Sequence, residues 1–221
     1  MPSEFIPYKE AEPLTYPTHP FSPTVCALIS GMPPGFEQLS LTECVSVEVL
    51  RTIAHMSKWM HSMSRMQKTV HISLRDQDFA LKYEPWEDLH DLSFCLRCLP
   101  PDSIFEQCLC FALLLYTSKT FNKLQTPMYQ RARQELTSLL STIPIVPEKE
   151  NCLVWIWIIA IESWNFGRLM PPGGLLKNLM TERVKSVSTW DSIESIVQLF
   201  LWNTSVLNEW KLCWSESSWD G

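Results

Sequence analysis

Apolar and polar positions along this chain recur with helical rather than strand spacing. Val47, Leu50, Ile53, Ala54 and Met60 fall three and four residues apart or at multiples of a turn, with Glu48, Arg51 and Lys58 between them. Ser40 and Glu43 have the spacing of a capping box, so the pattern predicts a first helix over about residues 41–66. Residues 67–84 are mixed and predict no element. A second helix opens at Pro85, where a missing amide proton costs nothing. It carries Leu89, Leu92, Leu96 and Leu99 and stops at Pro100-Pro101. Ser103 and Glu106 repeat the capping-box spacing before a third helix, with Phe105, Leu109, Ala112, Leu113 and Tyr116 on one face and Phe121 at its end. Thr126-Pro127 is a cap followed by proline. The fourth helix then shows Leu136, Leu139, Leu140 and Ile143, places Arg131, Arg133 and Glu135 outside, and ends at Pro144 and Pro147.

From Cys152 to Ile161 the alternation stops: ten consecutive residues, Cys-Leu-Val-Trp-Ile-Trp-Ile-Ile-Ala-Ile, carry no charge. A bilayer span needs about 20 such residues. Glu148-Lys149-Glu150 puts negative charge at the start of a first turn, and Glu162 marks the end of the dry part. The segment reads as a helix apolar on every side, which other elements must enclose. Gly167 and Pro171-Pro172-Gly173-Gly174 then break the chain, and Leu175, Leu176 and Leu179 predict a short helix. A long amphipathic helix capped by Ser188 or Thr189 closes the pattern, with Trp190, Ile193, Ile196, Val197, Phe200, Leu201, Leu207 and Trp210 as its apolar positions.

The N-terminal stretch is different. Residues 1–34 hold eight of the sixteen prolines, which predicts an extended arm closed by a turn at Gly31 to Phe36. Phe5, Tyr8, Tyr16 and Phe21 are placed to lie across a helical surface. The expected architecture is all-α, a bundle of about six or seven helices behind a Pro-rich arm, divided as arm 1–36, helical domain 37–214 and tail 215–221. No strand alternation and no fixed-period repeat is visible.

Composition narrows the function classes. Across 221 residues the net charge is −6, which argues against a phosphate-gripping surface. The N-terminus lacks a signal-peptide pattern, so the eight cysteines read as reduced thiols in nucleus or cytosol. Cys95-Leu96-Arg97-Cys98 and Cys108-Leu109-Cys110 invite a zinc reading. A helix advances about 100° per residue, so Cys108 and Cys110 point to different sides, and buried thiols are the simpler account. Cys95 and Cys98 lack the strand-to-helix context of a redox pair. Glu87-Asp88-Leu89-His90 contains Glu-x-x-His, yet no other histidine repeats it, and Glu84, Glu87, Asp88 and Asp91 read as a solvated first turn matched to the helix dipole. Asn203-Thr204-Ser205 is an acceptor pattern without a secretory signal. Residues 171–177 lack phosphate-loop spacing, and there is no Gly-x-Ser-x-Gly elbow. Most tryptophans sit at core spacing. Trp214 and Trp219 lie beyond the last periodic residue and are the candidates for exposure. No catalytic, cofactor-binding, metal or DNA-contacting residue is assigned.

Four segments, in order, resemble the C-terminal half of the fungus-specific regulatory domain of zinc-cluster transcription factors. They are Pro20-Phe21 with Gly35-Phe36 and the helix from Ser40; Ile104 to Tyr116, similar to an acidic-then-aliphatic helix with Leu109 near a frequent arginine; the apolar helix with Trp155; and Trp190 to Trp202, similar to a closing tryptophan-aliphatic-tryptophan helix. The resemblance spans about residues 20–214. It implies a non-enzymatic, nuclear or shuttling regulatory module in RNA polymerase II transcription, receiving a small-molecule effector or protein partners of the transcription machinery, as monomer or dimer. The family's six-cysteine zinc cluster and basic linker are not in this sequence: Cys26 and Cys44 stand alone. No direct nucleic-acid contact is therefore expected, and the chain is expected to be a C-terminal piece, a truncation or a stand-alone form. Two other readings stay open: a helical small-molecule-binding accessory to a metabolic pathway, supported by an aromatic-rich core, and an enzyme of unrecognised type.

Overall fold

A computed structural model describes residues 13–42, 44–68, 85–120, 126–164, 171–184, 187, 189–202 and 204–216. Phe5, Tyr8, Glu43, Glu84, Phe121, Gly167, Ser188, Asn203, Trp219 and the unassigned stretch 69–84 lie outside them. Among the described residues there are ten α-helices and no strand: α1 (Pro23–Ile29), α2 (Pro34–Ser40), α3 (Val47–Lys68), α4 (Pro85–Cys98), α5 (Ile104–Thr120), α6 (Pro127–Thr142), α7 (Glu150–Ser163), α8 (Pro171–Arg183), α9 (Trp190–Val197) and α10 (Thr204–Glu216). The all-α class stands, with more helices than expected.

The apolar run forms α7, and every residue from Cys152 to Ile161 is buried. It packs against α2, α5, α6, α8, α9 and α10, which together enclose the stretch from Cys152 to Ile161. Full burial of each leucine, isoleucine or valine contributes roughly 1.5–3 kcal/mol, which makes α7 the axis of the core. Trp155 is its centre. Its ring stacks on Phe200 at 5.9 Å and meets the edge of Phe36 at 5.3 Å, and its Nε1–H donates to the Leu201 carbonyl at 3.0 Å. α5 is a second helix buried nearly all round, from Phe105 to Ser118, where one apolar face was expected. It is covered by α4, α6 and α7.

Several expectations are corrected. The Pro-rich arm is helical twice, because Pro23 and Pro34 each stand at the first helical position, where their fixed φ suits a helix start. Ser40 does not cap α3. It closes α2, its hydroxyl donating to the Glu37 carbonyl at 2.6 Å. α3 begins later, at Val47, whose amide donates to the Thr15 carbonyl at 2.7 Å, so a distant segment of chain supplies the cap. Pro171 to Gly174 form the first turn of α8 rather than a break. The closing helix is two helices, α9 and α10. Thr189 caps α9 in a capping box with Ser192. Phe200 and Leu201 turn inward between them and are buried. Trp214 is buried too, with its ring under the Lys177 ammonium at 4.4 Å.

Candidate effector groove

The interior carboxylates Glu106, Asp88 and Glu162 are committed to structure. Glu106 is 1% exposed, and its carboxylate does not complete a capping box. Oε1 accepts from the amide and hydroxyl of Ser46 at 2.8 and 2.6 Å, and Oε2 from the Tyr16 hydroxyl at 2.7 Å. One carboxylate thus ties α5 to the start of α3 and to the arm. Asp88, expected in a solvated turn, is buried and lies 2.9 Å from Nδ1 of His55. The hydrogen bond to Asp88 raises the His55 pKa, against a smaller opposing effect of burial.

Glu162 does not mark a dry boundary. It faces Lys119, whose ammonium also lies 2.5 Å from Glu209, so the cluster ties α5, α7 and α10 together. Burial raises the Glu162 pKa, with Lys119 acting in the other direction. Arg133, expected outside, is half-buried with its guanidinium 3.9 Å over the Trp164 ring. Its long stem covers apolar surface while the charged head stacks.

All eight cysteines are free thiols. Cys95, Cys108 and Cys110 are buried. Burial pushes the Cys95 and Cys108 thiols up to about 12 and raises Cys110 and Cys152 as well, so these sulfurs stay protonated and unreactive near neutral pH. Among the described residues no three His, Cys, Asp or Glu side chains converge to hold a metal ion, and no helix is long and apolar enough to cross a membrane.

A different feature has the form of a binding site. α4 and α6 flank α5 and leave between them an open groove of about 500 Å³. Each helix contributes a stripe at helical spacing. Gln107, Phe111 and Leu114 of α5 line it together with Ser93, Leu96 and Arg97 of α4. Met128, Arg131 and Ala132 of α6 face them, and Leu99 and Pro101 close one end. The small side chains of Ser93 and Ala132 leave the space unfilled. The polar groups here are few. Ser93 donates to the Leu89 carbonyl at 2.7 Å, and the Gln107 amide nitrogen to the Pro100 carbonyl at 2.9 Å. Arg97 lies 6.0 Å from the Phe94 ring centroid, and Arg131 reaches Glu135 at 3.8 Å with both side chains well exposed. The described lining holds two guanidiniums and no Asp, Glu, His, Cys or Lys. Its volume falls in the range of small-molecule sites, and it offers no nucleophile–base pair.

A second cleft, of about 600 Å³, lies between α1 and α3 and is lined by Leu28, Met32, Ala54, Lys58 and His61 among others. Comparison with protein-family models, curated proteins and solved structures finds no match to this chain. Sequence spacing placed Leu96 and Leu99 on a helix face, but nothing in it brings α4 and α6 together across α5. The groove residues Ser93, Arg97, Gln107 and Ala132 carried no signal of their own.

Proposed function

We propose that this chain is a non-catalytic regulatory module that receives a small-molecule effector, acting in RNA polymerase II transcription control in the nucleus. The supporting observation is the groove between α4, α5 and α6: an open, mostly apolar cavity whose polar groups suit recognition and not bond-breaking. The transcriptional part rests on the four ordered segments that resemble the fungus-specific regulatory domain. Two of those segments meet in the core, Gly35-Phe36 against Phe200 of the closing segment.

The test is a reporter assay with the full chain fused to a heterologous DNA-binding domain, run with and without added metabolites, beside imaging of the tagged chain. Nuclear signal with metabolite-dependent transcription is the expected result. A reporter that never responds, with the tagged chain held outside the nucleus, would overturn the transcriptional role. The same groove also favours a second reading, a small-molecule-binding accessory protein of a metabolic pathway. That reading gains if metabolites raise the melting temperature while the reporter stays silent.

A further inference from the structure

We infer that the groove between α4, α5 and α6 binds a monoanionic amphiphile, a single carboxylate on an aliphatic or aromatic body. The inference deepens the effector reading above and rests on it only for biological meaning. The binding chemistry stands on the groove alone.

The floor dictates the body of the ligand. Leu96, Phe111 and Met128 are half-buried and present apolar surface to the groove, over the buried Leu99, Leu114 and Ala132. A ligand that covers it removes apolar area from water, and a purely polar metabolite would leave it uncovered. The mouth dictates the head. Arg97 sits in the last turn of α4, and Arg131 sits on the wall opposite, in α6. In a chain of net charge −6, two arginines, one on each wall, line an apolar opening whose described lining has no carboxylate. Planar guanidinium forks match a carboxylate in two-point hydrogen bonds. Glu135, one turn beyond Arg131, lies 3.8 Å from its guanidinium and lowers the positive potential on that wall. A singly charged carboxylate therefore fits better than a dianionic phosphate. Ser93 and the Gln107 amide nitrogen are already bound to backbone carbonyls, so the arginines are left to orient the head.

The test uses the full chain, with decanoate, decanol and decyl phosphate as probes below their micelle concentrations, read by calorimetry and melting temperature. Decanoate should bind more tightly than decanol by about tenfold, a modest charge-assisted gain at an exposed mouth. The double variant Arg97→Gln/Arg131→Gln changes two exposed side chains and should keep the wild-type melting temperature without ligand. In it, the preference for decanoate over decanol should vanish. A second variant, Leu96→Asp, puts a like charge in the floor and should weaken decanoate by more than decanol. Three results overturn the inference: no decanoate binding up to millimolar concentration, equal decanoate binding by wild type and the arginine double variant, or tighter binding of decyl phosphate than of decanoate. The outcomes separate the two claims. Decanoate bound with a silent reporter removes the transcriptional role and keeps the site. A reporter responsive to other metabolites without decanoate binding removes the site and keeps the role.

Discussion

A Cβ added to Gly35 would lie 2.6 Å from the ring of Phe200, and the Gly35 amide donates to the Leu199 carbonyl at 2.8 Å. The start of α2 therefore docks backbone-first on the turn after α9, with no room for a side chain. Gly35→Ala should destabilise by about 1–3 kcal/mol through overpacking. Phe200→Leu, which clears the space at its own cavity cost, should partly suppress the Gly35→Ala penalty in a double-mutant cycle followed by urea unfolding. Strictly additive effects would mean that the two residues do not collide.

The two central tryptophans of α7 should respond differently to loss of the indole nitrogen. Both are 0% exposed, and alanine at either should cost about 3–5 kcal/mol. Trp155 Nε1 is bonded to the Leu201 carbonyl, while Trp157 Nε1 is buried with no hydrogen-bond partner. Trp155→Phe should therefore cost roughly 1 kcal/mol more than Trp157→Phe, because it also strands a buried carbonyl. Equal losses in chemical denaturation would contradict the assigned hydrogen bond.

Lys119→Met leaves Glu162 facing the interior without its counter-charge. The side chains are 16% and 12% exposed, so the loss should approach the roughly 3–5 kcal/mol of a broken buried pair. Burial already raises the Glu162 pKa, and removing the ammonium raises it further. A carboxyl that holds its proton more tightly when folded favours the folded state as pH falls. The variant should thus recover stability relative to wild type on acidification, and adding Glu162→Gln should recover part of it at pH 7. A deficit unchanged by pH would argue against this pairing.

His55 gives a pH dependence of its own. Its folded pKa lies above the ordinary 6.5, chiefly through the hydrogen bond to Asp88. The charged pair contributes its full stability below the unfolded value and loses it as pH rises through the folded one. The stability gap between wild type and His55→Gln should therefore shrink as pH increases from that ordinary value, and Asp88→Asn should remove most of the trend. Melting temperatures of the three proteins across that range check it, and a gap that widens with pH would reverse the assignment.

Tyr16 holds the arm. Tyr16→Phe removes the donor to Glu106 Oε2 and should cost about 1–3 kcal/mol, since Glu106 stays buried. Limited proteolysis should cut the stretch before α1 faster in the variant. Cleavage at the wild-type rate would show that the Thr15 bonds to Val47 and Glu48 suffice to hold it.

The sequence by itself determined the helical class, the enclosed character of α7, the starts of α4 and α6 at Pro85 and Pro127, and a hydroxyl cap before Trp190 at Ser188 or Thr189. These follow from local chemistry: unbroken apolarity, a proline at a first turn, a hydroxyl over free amides. Tertiary structure alone decided where Glu106, Asp88, Glu162 and Arg133 spend their charge, because each partner lies tens of residues away or on another helix. It also moved the start of α3, since the group that caps Val47 belongs to Thr15. It split the closing helix, and Phe200, between the two halves, fills the space beside Phe36 and Trp155. The groove belongs to this second kind. A cavity is a gap between elements, set by the separation of α4 and α6 across α5, and the spacing of residues within any one of them does not encode it.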